Sequence, residues 1–211
     1  MTDAEFDKAL IASAFRLAAE SGWGTVNIAA ASRAAALPLE RARTRFPDRL
    51  ILLLRFGRLA DEGALADSPA EGAIRDRLFD MLMRRFDMLQ AHRSGVLALF
   101  RALPLDPPAA MVLACATRRS MRWMLDAAGV VTSGLRGELR VRGLIAVWLW
   151  AVRAWERDES ADMSGTMAAL DFALRRAEQA AAWIGGGTQP SPGAEQTEAD
   201  TGPVAGTEPT S

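Results

Sequence analysis

Residues 22–54 read GWGTVNIAAASRAAALPLERARTRFPDRLILLL, and this stretch decides the fold. Asn27 carries a side-chain oxygen that can accept an orphan backbone N–H, so a helix begins near Ile28. Ala29, Ala30, Ala31, Ser32, Ala34 and Ala35 make that helix small-sided, which lets a second helix approach closely. Pro38 stops it and suits the first turn of the next helix, where a missing N–H costs nothing. The next helix, Leu39 to Arg45, is short and presents Arg41, Arg43, Thr44 and Arg45. Phe46-Pro47 ends it, and Asp48 caps a long apolar helix. A short arginine-bearing helix braced by a small-residue helix has the layout of a helix-turn-helix, whose second helix enters a DNA major groove.

Working outward, residues 3–20 place Phe6, Leu10 and Leu17 on one helical stripe, with Asp3, Glu5 and Asp7 in the first turn, where the helix dipole favours negative charge. Residues 48–66 continue as a helix with Leu50, Leu53, Leu54, Leu59 and Ala60 facing inward. Gly63 and Asp67-Ser68-Pro69 mark a boundary. The rest reads as helices over 71–90, from Ser94 or Gly95 to Leu103, from Pro107 to about Ala128, from Thr132 or Ser133 to Arg157, and from Asp162 to Ile184. The tail from Gly185 is rich in Gly, Pro, Thr and Glu and reads as disordered.

Charge is unevenly spread. The 211 residues carry a formal net charge of −1, and Glu195, Glu198, Asp200 and Glu208 in the tail supply four negative charges with no Lys or Arg, so the remainder is net positive. Arg41, Arg43, Arg45, Arg49, Arg55 and Arg58 face only Asp48 between positions 41 and 58. That suits a phosphate-facing edge, and a solvated helix face explains it equally on charge alone.

The composition also excludes chemistry. Cys115 is the only cysteine, so no intrachain disulfide and no cysteine metal site can form, which fits a reducing cytoplasm. His92 is the only histidine and reads as a surface loop residue, so a Ser-His-Asp triad has little to build on. No zinc-protease, dinucleotide or phosphate-loop motif occurs. The expectation is no enzyme, no metal and no cofactor. The longest purely apolar run, Leu144 to Val152, is far short of the roughly 18 residues of a membrane span, and the N-terminus has no signal-peptide pattern.

Residues 5–66 resemble the N-terminal domain of TetR-type transcriptional repressors. The likeness rests on Gly22-Trp23 at the end of the first helix, Leu37 before the turn, Phe46 closing the second short helix, and Pro47-Asp48-Arg49-Leu50-Ile51-Leu52 leading into an aliphatic helix. Three positions differ from the family pattern: Ala36 stands at the turn glycine, Arg43 at an aromatic phosphate-contacting position, and Val26-Asn27 at a Thr-rich entry. The resemblance implies an all-α TetR-like fold of about nine helices: a head over 1–47, a ligand-binding and dimerisation body over 48–184, and a tail over 185–211. It implies a one-component regulator binding a double-stranded operator as a homodimer and tuned by a small apolar or lipid-like effector. Arg41, Arg43, Thr44 and Arg45 are the expected DNA contacts, with Asn27 and Arg33 bracing the backbone.

Soft and aromatic side chains suggest where an effector binds: Phe86, Met111, Cys115, Met121, Trp123, Met124 and Trp148, for which plain core packing is the competing reading. The last two helices are the expected dimer interface, through Trp150, Trp155, Met167, Leu170 and Leu174. Trp148 and Trp155 are seven apart and share a face, while Trp150 points elsewhere. Arg153 in this run needs a carboxylate if it is buried. Asp158-Glu-Ser160-Ala-Asp162, with Thr166, Leu170 and Arg175, also resembles the closing segment of the lipid-binding accessory proteins of coenzyme Q biosynthesis, which share the TetR-type fold without regulating genes. That resemblance implies an isoprenoid-lipid carrier as the second reading.

Overall fold

A computed structural model describes residues 1–66 and 72–185. Thr2 caps the first helix, α1 (Asp3–Ser21), and Glu5 accepts from the Thr2 backbone N–H in return, a reciprocal capping box. Gly22, with φ of 86°, ends α1 in backbone territory that glycine reaches without strain. One 3-10 turn, Trp23–Thr25, then drops the Trp23 ring into the core. The chain continues through α2 (Ile28–Ala34), α3 (Leu39–Arg45), α4 (Arg49–Leu65), α5 (Ile74–Gln90) and α6 (Arg93–Ala102). A second 3-10 turn, Leu103–Leu105, leads to α7 (Pro107–Ala127), α8 (Gly134–Arg157) and α9 (Ser164–Gly185). The described residues form nine α-helices and no strand, the expected all-α architecture.

Helix boundaries follow local chemistry. Asn27 Oδ1 accepts from Ala30 N at 2.8 Å, and Asp48 Oδ1 accepts from Leu50 N and Ile51 N at 2.8 and 3.0 Å, so both expected caps are formed. Pro38 sits one place earlier than expected, as the N-cap of α3. Helix α5 starts at Ile74 rather than at 71, and α9 starts at Ser164, where Asp162 accepts the Ser164 backbone N–H. Asp67-Ser68-Pro69 and the tail after Gly185 lie outside the described residues.

A single apolar core joins both halves. In the N-terminal part Phe6, Leu10, Phe15, Trp23, Phe46 and Leu52 are fully enclosed. In the C-terminal part Phe86 stacks near Trp148 and Trp155, with ring centroids 4.6 and 6.3 Å apart. Helix α4 runs between them, but its inner stripe is Leu52, Leu53, Phe56, Ala60 and Ala64. Leu54, expected inside, is 40% exposed.

The junction between α1 and α6 is close. A Cβ on Gly95 would stand 2.2 Å from the Phe15 carbonyl oxygen, so only glycine permits this approach. His92 precedes α6 and stacks on Phe15 at 5.6 Å, with the Phe56 ring edge-on at 5.8 Å. It is therefore a half-buried junction residue rather than a surface loop residue, and burial holds its imidazole below the ordinary value.

Candidate nucleic-acid interface

Helix α2 lies on α1 through Ala14, Ala18, Ala31 and Ser32, all without exposed surface. Ser13 Oγ donates to Ala31 O at 2.9 Å and locks this contact. The turn into α3 is a Schellman motif: Leu37 N donates to Ser32 O at 2.9 Å and Ala36 N to Arg33 O at 3.0 Å. Ser32 Oγ closes it by donating to Leu37 O at 2.8 Å. Ala36 holds φ of 51°, the left-handed conformation that a turn glycine adopts freely. Helix α3 is thus held rigidly with one face against the core through Ala42 and the other in solvent.

The guanidinium groups on α3 do not all face solvent. Arg41 Nη2 reaches Asp3 Oδ1 at 2.5 Å and its guanidinium lies 4.6 Å over the Phe6 ring. Arg45 bonds Asp7 at 2.7 and 2.8 Å and Asp3 at 2.6 Å. Arg55, from α4, joins Asp7 at 2.6 Å. The Arg41 hydrogen bond, with help from Arg45, holds the Asp3 carboxyl below the usual carboxylate range, and the Asp7 hydrogen bond raises the Arg45 guanidinium. Arg49 pairs with Asp106, the N-cap of α7, at 2.9 Å. The basic run that looks free in the sequence is therefore largely neutralised by α1 and α7.

What remains outward is a smaller set. Arg33, Arg43 and Thr44 are exposed, with Arg43 Nη1 donating to Pro47 O at 3.0 Å and Thr44 Oγ1 to Glu40 O at 2.9 Å. Asn27 is exposed and keeps its amide N–H groups beyond its capping oxygen. Asn27, Arg43 and Arg49 line a cleft of about 460 Å³ between α2, α3 and the start of α4, with Val26, Ile28 and Phe46 at its apolar floor. Asp3 and Asp7 are the residues that sequence reasoning missed. Their signal was present, because acidic side chains four apart on the α1 face that carries Phe6 can meet the neighbouring arginines, yet it reads first as dipole complementarity.

The other expected site residues divide by exposure. Phe86, Met121, Met124 and Trp148 are core, whereas Met111 and Trp123 are 66% and 57% exposed and Cys115 is exposed, so the expected effector residues do not converge on one cavity. Near them Arg85 is buried against Asp61, which also accepts from Ser120 Oγ at 2.5 Å, and stands 5.1 Å over the Trp148 ring. Burial lowers the Arg85 guanidinium to about 10, so it stays charged at neutral pH. Trp155 and Leu170 are fully buried within the protomer and Leu174 nearly so, which corrects their place at a subunit surface; Met167 is half-buried. Trp150 remains outward, beside Leu149 on α8 and with Phe172 on α9. Arg153 is exposed and needs no buried partner. No group of potential metal ligands occurs among the described residues, and no single helix there is long and apolar enough to cross a membrane.

No protein-family model matches the chain, and no curated protein matches it significantly. Solved structures do. The chain is similar to a TetR transcriptional regulator from Nitrosomonas europaea at 21% identity and a TM-score of 0.68, over 83% of this chain and 99% of that one. The chain has the TetR-like fold. A TetR-family transcriptional regulator from Streptomyces coelicolor is similar at 20% identity and a TM-score of 0.62, over 87% and 85%. A Rhodococcus TetR transcriptional regulator follows at 18% identity and 0.52, over 82% and 98%. The expected head over 1–47 contains α1–α3, and the expected body over 48–184 begins with α4.

Proposed function

We propose that the chain is a homodimeric DNA-binding transcriptional regulator that reads an operator through a reduced set of head residues. The observation that carries this reading is the rigid α2–turn–α3 unit with Arg43 and Thr44 outward. Arg33 and Asn27 flank them as backbone-positioning contacts. Arg41 and Arg45 set the pose of α3 through Asp3 and Asp7 and contribute less charge than the sequence promises. The dimer forms through α8 and α9, with Leu149, Trp150 and Phe172 as the apolar centre, all more than half exposed in the protomer. A small apolar or lipid-like effector bound by the body shifts head spacing by its differential affinity for two states. The protein acts in the cytoplasm without a catalytic centre.

Fluorescence anisotropy with DNA from upstream of its own gene, at low and moderate salt, tests the reading. Binding that weakens steeply with salt and is lost in Arg43→Ala supports it. Absence of binding at low salt overturns it.

The neutralised arginines favour one second reading, a TetR-fold lipid-binding accessory protein. The Asp158, Ser160 and Thr166 segment that carries that resemblance is well ordered by hydrogen bonds. Isoprenoid lipid co-purifying with the protein, with no preference among DNA sequences, decides for it.

A further inference from the structure

The sides of α3 carry different chemistry. Its inner side is set by Ala42, which is 1% exposed. Arg41 and Arg45 lie on the flank toward α1, held by Asp3 and Asp7. Leu39 and Arg43 lie on the opposite flank and line the cleft of about 460 Å³ with Phe46. Glu40 and Thr44 stand two residues either side of Ala42, so each is turned roughly 160° from it and the pair forms the outermost ridge. Both are exposed.

This ridge is unlike a surface built for phosphate, because Glu40 puts a carboxylate on it. Among the described residues no arginine pairs with that carboxylate. Arg41 turns to Asp3, and Arg43 donates to Pro47 O at 3.0 Å instead. Thr44 Oγ1 donates to the Glu40 backbone carbonyl at 2.9 Å, not to its carboxylate. The Glu40 side-chain oxygens therefore keep their whole acceptor capacity.

A carboxylate at the crest of a DNA-facing helix cannot be a phosphate contact, since like charges repel. It must be matched by a donor. On base edges in the major groove the donors are the N4 amino group of cytosine and the N6 amino group of adenine. Guanine and thymine present acceptors there, which leave a carboxylate desolvated and unpaired. Adenine has its N7 acceptor beside N6, and a carboxylate approaching N6 meets that lone pair as well. Cytosine has only a C–H beside N4.

We propose that Glu40 is the base-selecting residue of α3 and reads cytosine through its N4 amino group, once in each half of a two-fold operator. Arg43 on the flank, with Arg33 and Asn27, binds the phosphates that bring Glu40 to the groove. Affinity and selectivity are thus divided: the arginines attract any duplex, and Glu40 disfavours each one that lacks a cytosine in place. This assignment rests on the DNA-binding reading of α3.

The test is selection of binding sites from a randomised duplex library by the full chain, native and with Glu40→Ala or Glu40→Gln. The expected native result is a palindromic consensus with one C·G pair per half-site at which any other pair weakens binding about tenfold. Glu40→Ala accepts all four pairs there and keeps the rest of the consensus. Its affinity for non-specific duplex equals or exceeds the native one and its salt slope is unchanged, because no phosphate contact is lost. Glu40→Gln moves the preference at that position to adenine, whose N6 and N7 an amide meets with an acceptor and a donor. Glu40 is exposed, so both variants keep the native melting temperature. Selection of the native consensus by Glu40→Ala, or an equal loss of affinity for all duplexes, overturns the assignment and leaves the regulator reading standing. Absence of any sequence selection by the native chain removes the regulator reading and the assignment with it.

Discussion

Arg45 and Asp7 meet as a two-pronged ion pair, Nε to Oδ1 at 2.7 Å and Nη2 to Oδ2 at 2.8 Å, across 38 residues of chain. Asp7 also accepts from Arg55 Nη1 at 2.6 Å, so one nearly buried carboxylate ties α3 and α4 to α1. Asp7→Asn leaves Arg55 without its carboxylate and Arg45 with Asp3 alone, in a confined place. The expected cost is about 3 kcal/mol of unfolding free energy in urea titration, with the m-value unchanged.

Asp3 offers a gentler handle on the same cluster, since its side chain is 65% exposed. Asp3→Asn removes the carboxylate that holds Arg41 while Asp7 keeps Arg45 in place. Freed toward solvent, Arg41 becomes available to phosphate. The expected outcome is tighter non-specific DNA binding and a salt slope steeper by about 0.9 for the one added phosphate contact. Anisotropy titrations at several salt concentrations read this directly.

Ala36 is an L-residue in left-handed territory at φ of 51°. The conformation costs roughly 1–2 kcal/mol for an L-residue, and a glycine returns part of that gain as unfolded-state entropy. Ala36→Gly is therefore expected to stabilise the chain by about 0.5–1 kcal/mol in chemical denaturation.

The turn shows how the sequence was legible and where it was not. Asn27, Pro38 and Asp48 announce helix ends because a cap acts on the nearest few peptide groups, and the structure has all three ends within a residue of the expectation. Trp148 and Trp155 against Trp150 were separable because helical period alone assigns opposite faces. Partner choice is different. Whether Arg41 faces solvent depends on Asp3, 38 residues away, and no local pattern encodes that approach. The same holds for Leu170 and Leu174, whose stripe is apolar whether a neighbouring helix or a second subunit covers it. Helical periodicity marks the buried side of most helices, with Leu54 on α4 the exception, but not the identity of what buries it.

At the α1–α6 junction, Gly95→Ala drives a methyl into the Phe15 carbonyl, where the obstacle is backbone and cannot step aside. A destabilisation of about 3 kcal/mol is expected. His92 at the same junction gives a pH signature. Its folded-state value is depressed by burial, so the unfolded chain takes up the proton first as pH falls. Stability is full above about 6.5, declines as pH drops through the unfolded value, and levels off below the folded one. Denaturation midpoints followed across this range should show the step in the native chain and lose it in His92→Phe.

The α8–α9 hairpin turns on Asp158. One carboxylate accepts from Ser160 N at 3.1 Å, from Thr166 N and Thr166 Oγ1 at 2.7 Å each, and from the Ser160 hydroxyl. These bonds, with Ser160 first, hold its carboxyl far below the usual carboxylate range. The depressed value means the contribution is complete above the ordinary carboxylate range, declines as pH falls below that range, and is fully lost once pH passes the folded value, well into acid. Asp158→Ala removes the acceptor and leaves the Thr166 hydroxyl, on a residue without exposed surface, unpaired. The expected loss is about 2 kcal/mol. Because α8 and α9 carry Leu149, Trp150 and Phe172, the loosened hairpin should also weaken the proposed dimer. Sedimentation velocity across a protein dilution series should then show Asp158→Ala dissociating at higher concentration than the native chain, whereas equal dissociation would mean that the hairpin end does not support the subunit contact.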